Sequence, residues 1–368
     1  MKLNTYCLVA LALSLASTTT LANNDSTTEQ FKQAYKNYQQ AVTNNQIDNK
    51  IKYAEQAYLI GQQLYGEQAL NTANLALNYA LSLPEAKSQI SNKPLLEQKY
   101  ALYKTILSIY SNHYEEEAIE LVDVYFGLAK STSSASESDD YFEHGLTLLP
   151  KKSKLLADSY SEASMHLFNH HQFEKYKVAR KYAYEADELY RELLPENSFE
   201  RAKSNYLIGM IAQGMRKKNE AIKRFNEVVD VFDKHLDFDH PFELAAHSRL
   251  IDLYEDQGKS EEATKHCIAI AKMVPWKDEL EQTPLHRTNP DYPISMVKRG
   301  KDGFAQLEFD ITPAGFVDNI RVLDKSNEAF AKESIKALKK WRYAPKFENG
   351  QAITATAQVQ IDFQLSRG

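Results

Sequence analysis

Residues 309–320, FDITPAGFVDNI, join two alternating segments through a turn. Apolar and polar side chains alternate over residues 305–311, which is the period of a strand buried on one face. Residues 312–315 (TPAG) have turn composition, and alternation resumes over residues 316–323. This stretch therefore predicts a β-hairpin.

A helix and a further strand are predicted after the hairpin. Apolar and small side chains recur at helical spacing, with lysines on the opposite face, which predicts an amphipathic helix packed across the sheet. Its apolar face consists of Phe330, Ser334, Ala337, Leu338 and Trp341. Asn349-Gly350 predicts a turn, and residues 353–365 alternate without a break, which predicts the longest strand of the chain.

This β-β-α-β order, with the residues that fill it, resembles the C-terminal domain of TonB, the periplasmic protein that pulls on outer-membrane transporters. The resemblance spans residues 287–365. It is carried by residues 290–293 (PDYP), Gly303-Phe304, residues 309–320 and residues 341–345 (WRYAP). In that family the domain receives a short receptor segment, the TonB box, as an added strand beside its last strand. The resemblance therefore implies β-augmentation here.

The resemblance also implies a set of partner-binding residues. An unpaired strand edge offers backbone donors and acceptors to an extended peptide. On the last strand the implied contact residues are Thr354, Thr356, Gln358, Gln360, Asp362 and Gln364. A short preceding element adds Asn289, Asp291 and Tyr292, and Asn289 stands where relatives carry glutamine.

The other matched residues are interpreted as structural. We expect the core to contain Phe309, Val317, Trp341 and Tyr343. Gly303 and Gly315 are expected in turns, because glycine adopts conformations closed to other residues.

Upstream, residues 28–275 have a helical period throughout and contain an internal repeat. Ala221, Phe225 and Val228 recur 42 residues later as Ala263, Cys267 and Ile270. Small residues at such positions let antiparallel helices approach closely, and Gly258 stands where the inter-helix turn requires it. The pattern resembles the tetratricopeptide repeat (TPR) and predicts five or six helical hairpins.

Stacked hairpins of this family leave a concave face that binds a peptide or protein. Arg201, Asn205 and Arg249 are candidate groove residues on first helices, although such polar residues are more often exposed or helix-capping. The polar run of residues 131–140 (STSSASESDD) predicts a loop or local break in the repeats.

The N-terminus has the composition of a secretory signal. Lys2 precedes an apolar run at residues 7–16, and small residues end at Ala22, where we expect cleavage. The run is about ten residues, whereas a membrane span needs roughly twenty. Together with the resemblance to the TonB domain, which implies a Gram-negative bacterium, the signal predicts a periplasmic protein, with a retained signal acting as an anchor as the alternative.

Several classes of chemistry are not indicated. No phosphate-binding glycine loop, nucleophile elbow or paired-cysteine site occurs, so no catalytic or cofactor-binding residue and no metal ligand is predicted. His166 and His170, with His171, have the one metal-like spacing, but histidines are common on helix surfaces. The net charge of −6 does not favour a nucleic-acid partner.

Three segments are predicted: a signal peptide at residues 1–22, a TPR-like repeat domain at residues 23–280 and a TonB C-terminal-like domain at residues 284–368. The fold class is an all-α TPR-like solenoid followed by a small α+β domain. The leading functional hypothesis is a non-enzymatic adaptor that binds an outer-membrane transporter or another envelope protein and, through its repeats, an unidentified protein or peptide. The alternatives are an anchored energy transducer and an assembly factor that uses the TonB fold to form a homodimer.

Overall fold

The computed structural model describes residues 24–85, 92–235, 240–277 and 280–365. The predicted signal peptide therefore lies outside the described residues. The chain divides into two compact units, of which the first ends at Leu149 and the second begins at Pro150. No helix within the described ranges is long and apolar enough to span a lipid bilayer.

The first unit consists of helices that pack in sequence order. They are α1 (Asn24–Thr43), α2 (Ile47–Tyr65), α3 (Leu70–Ser82), α4 (Lys93–Tyr110), α5 (Val122–Ser131) and α6 (Ala135–Thr147). Fully buried alanines such as Ala73, Ala76 and Ala80 let neighbouring helices approach closely. The buried ring of Tyr110 places its hydroxyl 2.6 Å from the side-chain oxygen of Asn74, to which it donates.

The polar run of residues 131–140 contains the predicted local break, but the alternative of a loop over the whole run is wrong, because most of it is helical. Only residues 132–134 connect α5 to α6. Ser134 caps α6 by accepting a hydrogen bond from the backbone amide of Glu137, and Ser138 is fully buried. A serine followed three residues later by glutamate is a helix-start signal.

The second unit begins with six helices in the expected repeat. They are α7 (Lys154–His170), α8 (Gln172–Leu193), α9 (Phe199–Gly214), α10 (Lys218–His235), α11 (Pro241–Glu255) and α12 (Ser260–Met273). The starts of α9 and α11 are 42 residues apart, as are those of α10 and α12. Gly258, with φ of 70°, lies in the turn between α11 and α12, as predicted. The described residues thus contain TPR-like hairpins, the last two being α9–α10 and α11–α12.

The C-terminal domain follows in the same unit. Its elements are α13 (Ile294–Val297), β1 (Gly303–Ile311), β2 (Val317–Lys325), α14 (Glu328–Leu338), β3 (Lys346–Glu348), β4 (Gln351–Ile353) and β5 (Ala355–Phe363). The main sheet is antiparallel with strand order β2-β1-β5, and β3 and β4 form a separate hairpin. The predicted β-β-α-β order is confirmed.

The core of the C-terminal domain lies between the sheet and α14. Phe309, Trp341 and Tyr343 are each 1% exposed and Val317 is 9% exposed, as expected. Gly315 has φ of 77° and lies in the predicted turn. Gly303 instead begins β1, where a Cβ atom would collide with the ring of Phe330, so close packing rather than a turn requires glycine there.

The prediction of one long strand over residues 353–365 is wrong. Asn349 and Gly350 form the predicted turn, with φ of 53° and 78°, but this turn connects β3 to β4. Ile353 pairs with Lys346 in that hairpin, whereas Ala355 pairs with Ile311 in the main sheet. The chain changes partners at Thr354, so β5 has nine residues, as do β1 and β2.

Candidate protein-binding surfaces

The edge of β5 is the first candidate surface. One side of β5 pairs with β1 in an unbroken register from Gly303 opposite Phe363 to Ile311 opposite Ala355. In the part of the chain that the structure describes, no strand pairs with the other side. A regular strand with a free edge presents a row of backbone donors and acceptors to an incoming segment.

The edge formed by β2 differs in shape and charge. Its pairing with β1 shifts register twice, between Gln306 and Leu307 and between Glu308 and Asp310. β2 also carries the charged side chains Asp318, Arg321, Asp324 and Lys325. Bulges and charges are features that discourage pairing at a sheet edge. Of the two edges, β5 is therefore better suited to accept a strand.

The predicted contact side chains of β5 lie on the open face of the sheet. Thr356 donates to Asp310 at 3.0 Å, and the Gln358 amide donates to Glu308 at 2.9 Å, so both connect β5 to β1. The other exposed positions on or beside β5 are Thr354, Gln360, Asp362 and Gln364. Thr354 precedes the strand and Gln364 follows it. The edge itself therefore offers backbone amide and carbonyl groups rather than these side chains.

The predicted element at residues 289–292 lies against the same domain. Asn289 and Asp291 are exposed, and Lys336 on α14 donates to Asp291 at 2.9 Å, which lowers the pKa of that carboxyl group. Tyr292 is partly buried, and its ring centroid lies 5.6 Å from that of Phe363 at the end of β5. The fold thus brings Tyr292 and the end of β5 together.

A second surface joins the C-terminal domain to the α11–α12 hairpin. Arg342 is 1% exposed and forms an ion pair with Glu255 at the end of α11. Its guanidinium also donates to Thr264 of α12 and to the carbonyl of Ala314, each at 2.7 Å. The guanidinium carbon lies 3.7 Å from the ring centroid of Phe316. We call these contacts the Arg342 contact.

His286 adds an ion pair beside the Arg342 contact. Its Nδ1 atom lies 2.7 Å from a carboxylate oxygen of Asp252 on α11. The hydrogen bond to Asp252 raises the pKa of His286, and the charges of Glu255 and Asp256 act in the same direction. Neither contact was predicted from the sequence, because the partners of Arg342 and His286 on α11 and α12 are distant in the chain.

The candidate groove residues differ in whether their side chains are accessible to a bound peptide or protein. Asn205 is 4% exposed, and its side-chain oxygen accepts from Arg224 at 2.8 Å and from Arg191 at 3.2 Å. Asp187, 5% exposed in its side chain, forms ion pairs with both arginines. Asn205 thus belongs to a buried charge network between α8, α9 and α10. Arg201 lies 3.4 Å from the Leu194 carbonyl, and Arg249 is exposed.

Comparison with known proteins agrees with the C-terminal fold. Residues 288–365 match the family described as the C-terminal domain of the Gram-negative bacterial TonB protein. Protein tonB2 of Pseudomonas aeruginosa is 31% identical over 83 residues, which are 22% of this chain and 31% of that protein. Protein TonB of Escherichia coli is 37% identical over 62 residues, which are 17% of this chain and 26% of that protein. The chain thus spans less than a third of the length of these relatives.

Among solved structures, the solution structure of the P. aeruginosa TonB C-terminal domain is 28% identical. The match covers 25% of this chain and 93% of the chain in that structure, with a TM-score of 0.22. The C-terminal segment is a TonB C-terminal domain, and TPR-like helical repeats precede it.

Proposed function

We propose that this chain is a non-enzymatic periplasmic adaptor of the Gram-negative envelope. Its C-terminal domain takes up an extended segment of the TonB-box type, from an outer-membrane transporter or another envelope protein, as a strand beside β5. Its repeats bind a second protein or peptide. The observation that carries the proposal is the unbroken register of β5 with its free edge, set against the twice-shifted register of β2.

The Arg342 contact supports a joint action of repeats and C-terminal domain. A buried guanidinium with several hydrogen-bond partners fixes the orientation of the groups that it connects. The edge of β5 would then have a defined direction relative to the α11–α12 hairpin. A partner bound by the repeats could thus be presented next to a transporter bound at β5.

Disulfide trapping on the exported chain, residues 23–368, tests the β5 edge. Gln360→Cys is placed on β5 and Leu323→Cys on β2, both exposed, and each is mixed with a TonB-box peptide that contains one cysteine. Side chains on neighbouring strands and the same face lie about 5 Å apart, so a bound peptide cross-links efficiently. Cys267 is buried, which raises its thiol pKa to about 11, so it does not compete.

We expect cross-linking at Gln360→Cys and little at Leu323→Cys. A peptide with prolines at alternate positions is the matched control, because proline cannot donate backbone hydrogen bonds to the edge. Equal yields at both positions, or equal yields with the proline peptide, would reject the β5 assignment.

The same free edge favours a homodimer as the second candidate. Two β5 strands could pair antiparallel about Val359, the middle residue of the strand. Analytical ultracentrifugation with a Val359→Cys variant tests this arrangement. A disulfide-linked dimer that no longer binds peptide would support the assembly-factor hypothesis, whereas a monomer at all concentrations would exclude it.

The intact mass of the protein after export distinguishes the adaptor from an anchored transducer. Cleavage after Ala22 gives a chain that starts at Asn23, as the adaptor requires. A mass that includes residues 1–22 would support the anchored alternative.

A further inference from the structure

Three potential metal ligands meet between α10 and α11. Asp233 lies near the end of α10, and Glu243 and His247 lie on α11. One ligand atom from each of these side chains falls within 4.8 Å of the other two. The four-residue spacing of Glu243 and His247 puts both on the same face of α11.

This cluster is largely inside the protein. Glu243 is 7% exposed and His247 is 3% exposed, whereas Asp233 is exposed. Two carboxylates that share a site repel each other, and a cation bound between them relieves that repulsion. A metal ion is one such cation, and the exposed aspartate leaves a path by which it could enter.

A third helix holds the imidazole in place. The Nδ1 atom of His247 lies 2.8 Å from the Nδ1 atom of His266 on α12, which is 9% exposed. When His247 donates through Nδ1, its Nε2 atom keeps a lone pair. Metal-binding histidines commonly use the second nitrogen in this way.

We propose that Asp233, Glu243 and His247 bind one divalent transition-metal ion, with Zn²⁺ the best match to these ligands. Imidazole with carboxylates suits zinc, whereas magnesium and calcium favour oxygen ligands alone. Three protein ligands leave a fourth position for water. Metal–ligand bonds of about 2.1 Å place tetrahedral ligand atoms about 3.4 Å apart, so the exposed Asp233 side chain moves inward on binding.

The bound ion would connect two neighbouring hairpins. Asp233 belongs to the α9–α10 hairpin, and the other two ligands belong to the α11–α12 hairpin. The latter also carries Glu255 and Thr264 of the Arg342 contact. Zinc would therefore stabilise the hairpin on which the C-terminal domain packs, independently of what binds at β5.

Zinc titration of the exported chain, prepared with chelator and without a histidine tag, tests the site. Calorimetry is expected to show one Zn²⁺ per chain with micromolar or tighter affinity, and the Tm is expected to rise by several degrees in zinc. Asp233→Asn and Glu243→Gln each reduce the affinity by about tenfold or more. Asp233 is exposed, so the first of these variants keeps the apo Tm.

His170→Asn is the matched control, because it disrupts the other histidine cluster, in which the rings of His166 and His170 lie 4.7 Å apart. We expect this variant to bind zinc as the parent chain does. Zinc affinity that is lost in His170→Asn and kept in Asp233→Asn would overturn the proposal. So would the absence of saturable binding of one ion per chain.

Discussion

The edge of β5 and the Arg342 contact are two surfaces of one small domain with opposite physical character. The edge exposes regular backbone, which can accept many sequences. The Arg342 contact is closed and depends on one guanidinium that is 1% exposed. Substitutions are therefore expected to be tolerated at the surface proposed for partners and costly at the surface that packs on the repeats.

The largest effect on the free energy of unfolding is expected from Arg342→Ala. The side chain of Glu255 is 13% exposed, and this substitution removes its ion-pair partner. Removing one member of a buried pair costs about 3–5 kcal/mol in free energy of unfolding. Denaturant unfolding of residues 23–368 measures this cost.

Arg321→Ala is the matched control. Arg321 pairs with Glu308 at 3.0 Å but is 54% exposed, so its loss costs at most about 1 kcal/mol. Similar losses of stability in the two variants would show that the Arg342 contact is no stronger than a surface ion pair.

The next effect is expected from Gly315→Ala. Gly315 has φ of 77°, and an added Cβ atom would collide with the backbone carbonyl oxygen of Tyr343. The left-handed conformation alone costs about 1–2 kcal/mol, and the collision adds to it. Thermal unfolding of Gly315→Ala against Gly350→Ala separates the two costs, because Gly350 has φ of 78° with open space around it. Equal Tm values would show that the collision does not add to the loss of stability.

A smaller effect is expected from alanine substitutions on β5, measured as the change in peptide affinity. Because the β5 edge offers backbone, alanine at Thr356, Gln358, Gln360 or Asp362 should change the peptide Kd by less than about threefold. Fluorescence anisotropy with a labelled TonB-box peptide measures it, with Leu323→Ala on β2 as the control. A tenfold loss at any one β5 position would show that side chains, and not backbone, select the partner.

The sequence predicted those features that depend on local pattern. Alternation over residues 305–311 placed Leu307, Phe309 and Ile311 in the core, and the 42-residue repeat placed the last four repeat helices. Alternation could not show the change of partner at Thr354, because residues on both sides of it are in strands.

The features that were missed depend on distant residues. Arg342 stands between two core aromatic residues, and its partner Glu255 is 87 positions away in sequence. No local period relates two such positions. Glu243 and His247 are four residues apart in the sequence, but this pair was not recognised as a metal-like spacing, because the position of Asp233 on the neighbouring helix could not be predicted. In the polar run, by contrast, the helix-start signal of Ser134 and Glu137 was available.

The smallest effect on the free energy of unfolding is expected from His286→Asn, beside the Arg342 contact. The pair with Asp252 is partly solvated, since the aspartate side chain is 44% exposed, so solvent weakens it. The pKa of His286 in the folded state is raised above its ordinary value of 6.5. The folded state therefore binds the proton more tightly than the unfolded state, and the resulting stability is fully present below 6.5 and lost as pH rises through the raised pKa.

Denaturant unfolding of the parent and of His286→Asn between about pH 5 and about pH 9 measures this dependence. Asparagine can still donate a hydrogen bond to Asp252 but cannot become charged. The stability of the parent relative to the variant should therefore be greatest at acidic pH and shrink at alkaline pH. His144→Asn is the control, because the ring of that exposed histidine donates a hydrogen bond to an uncharged group, the backbone carbonyl of Asp140 in its own helix, at 2.7 Å. A difference in stability between parent and His286→Asn that grows with pH would show that the imidazole acts there as a neutral group. The charge pairing between the C-terminal domain and α11 would then depend on Arg342.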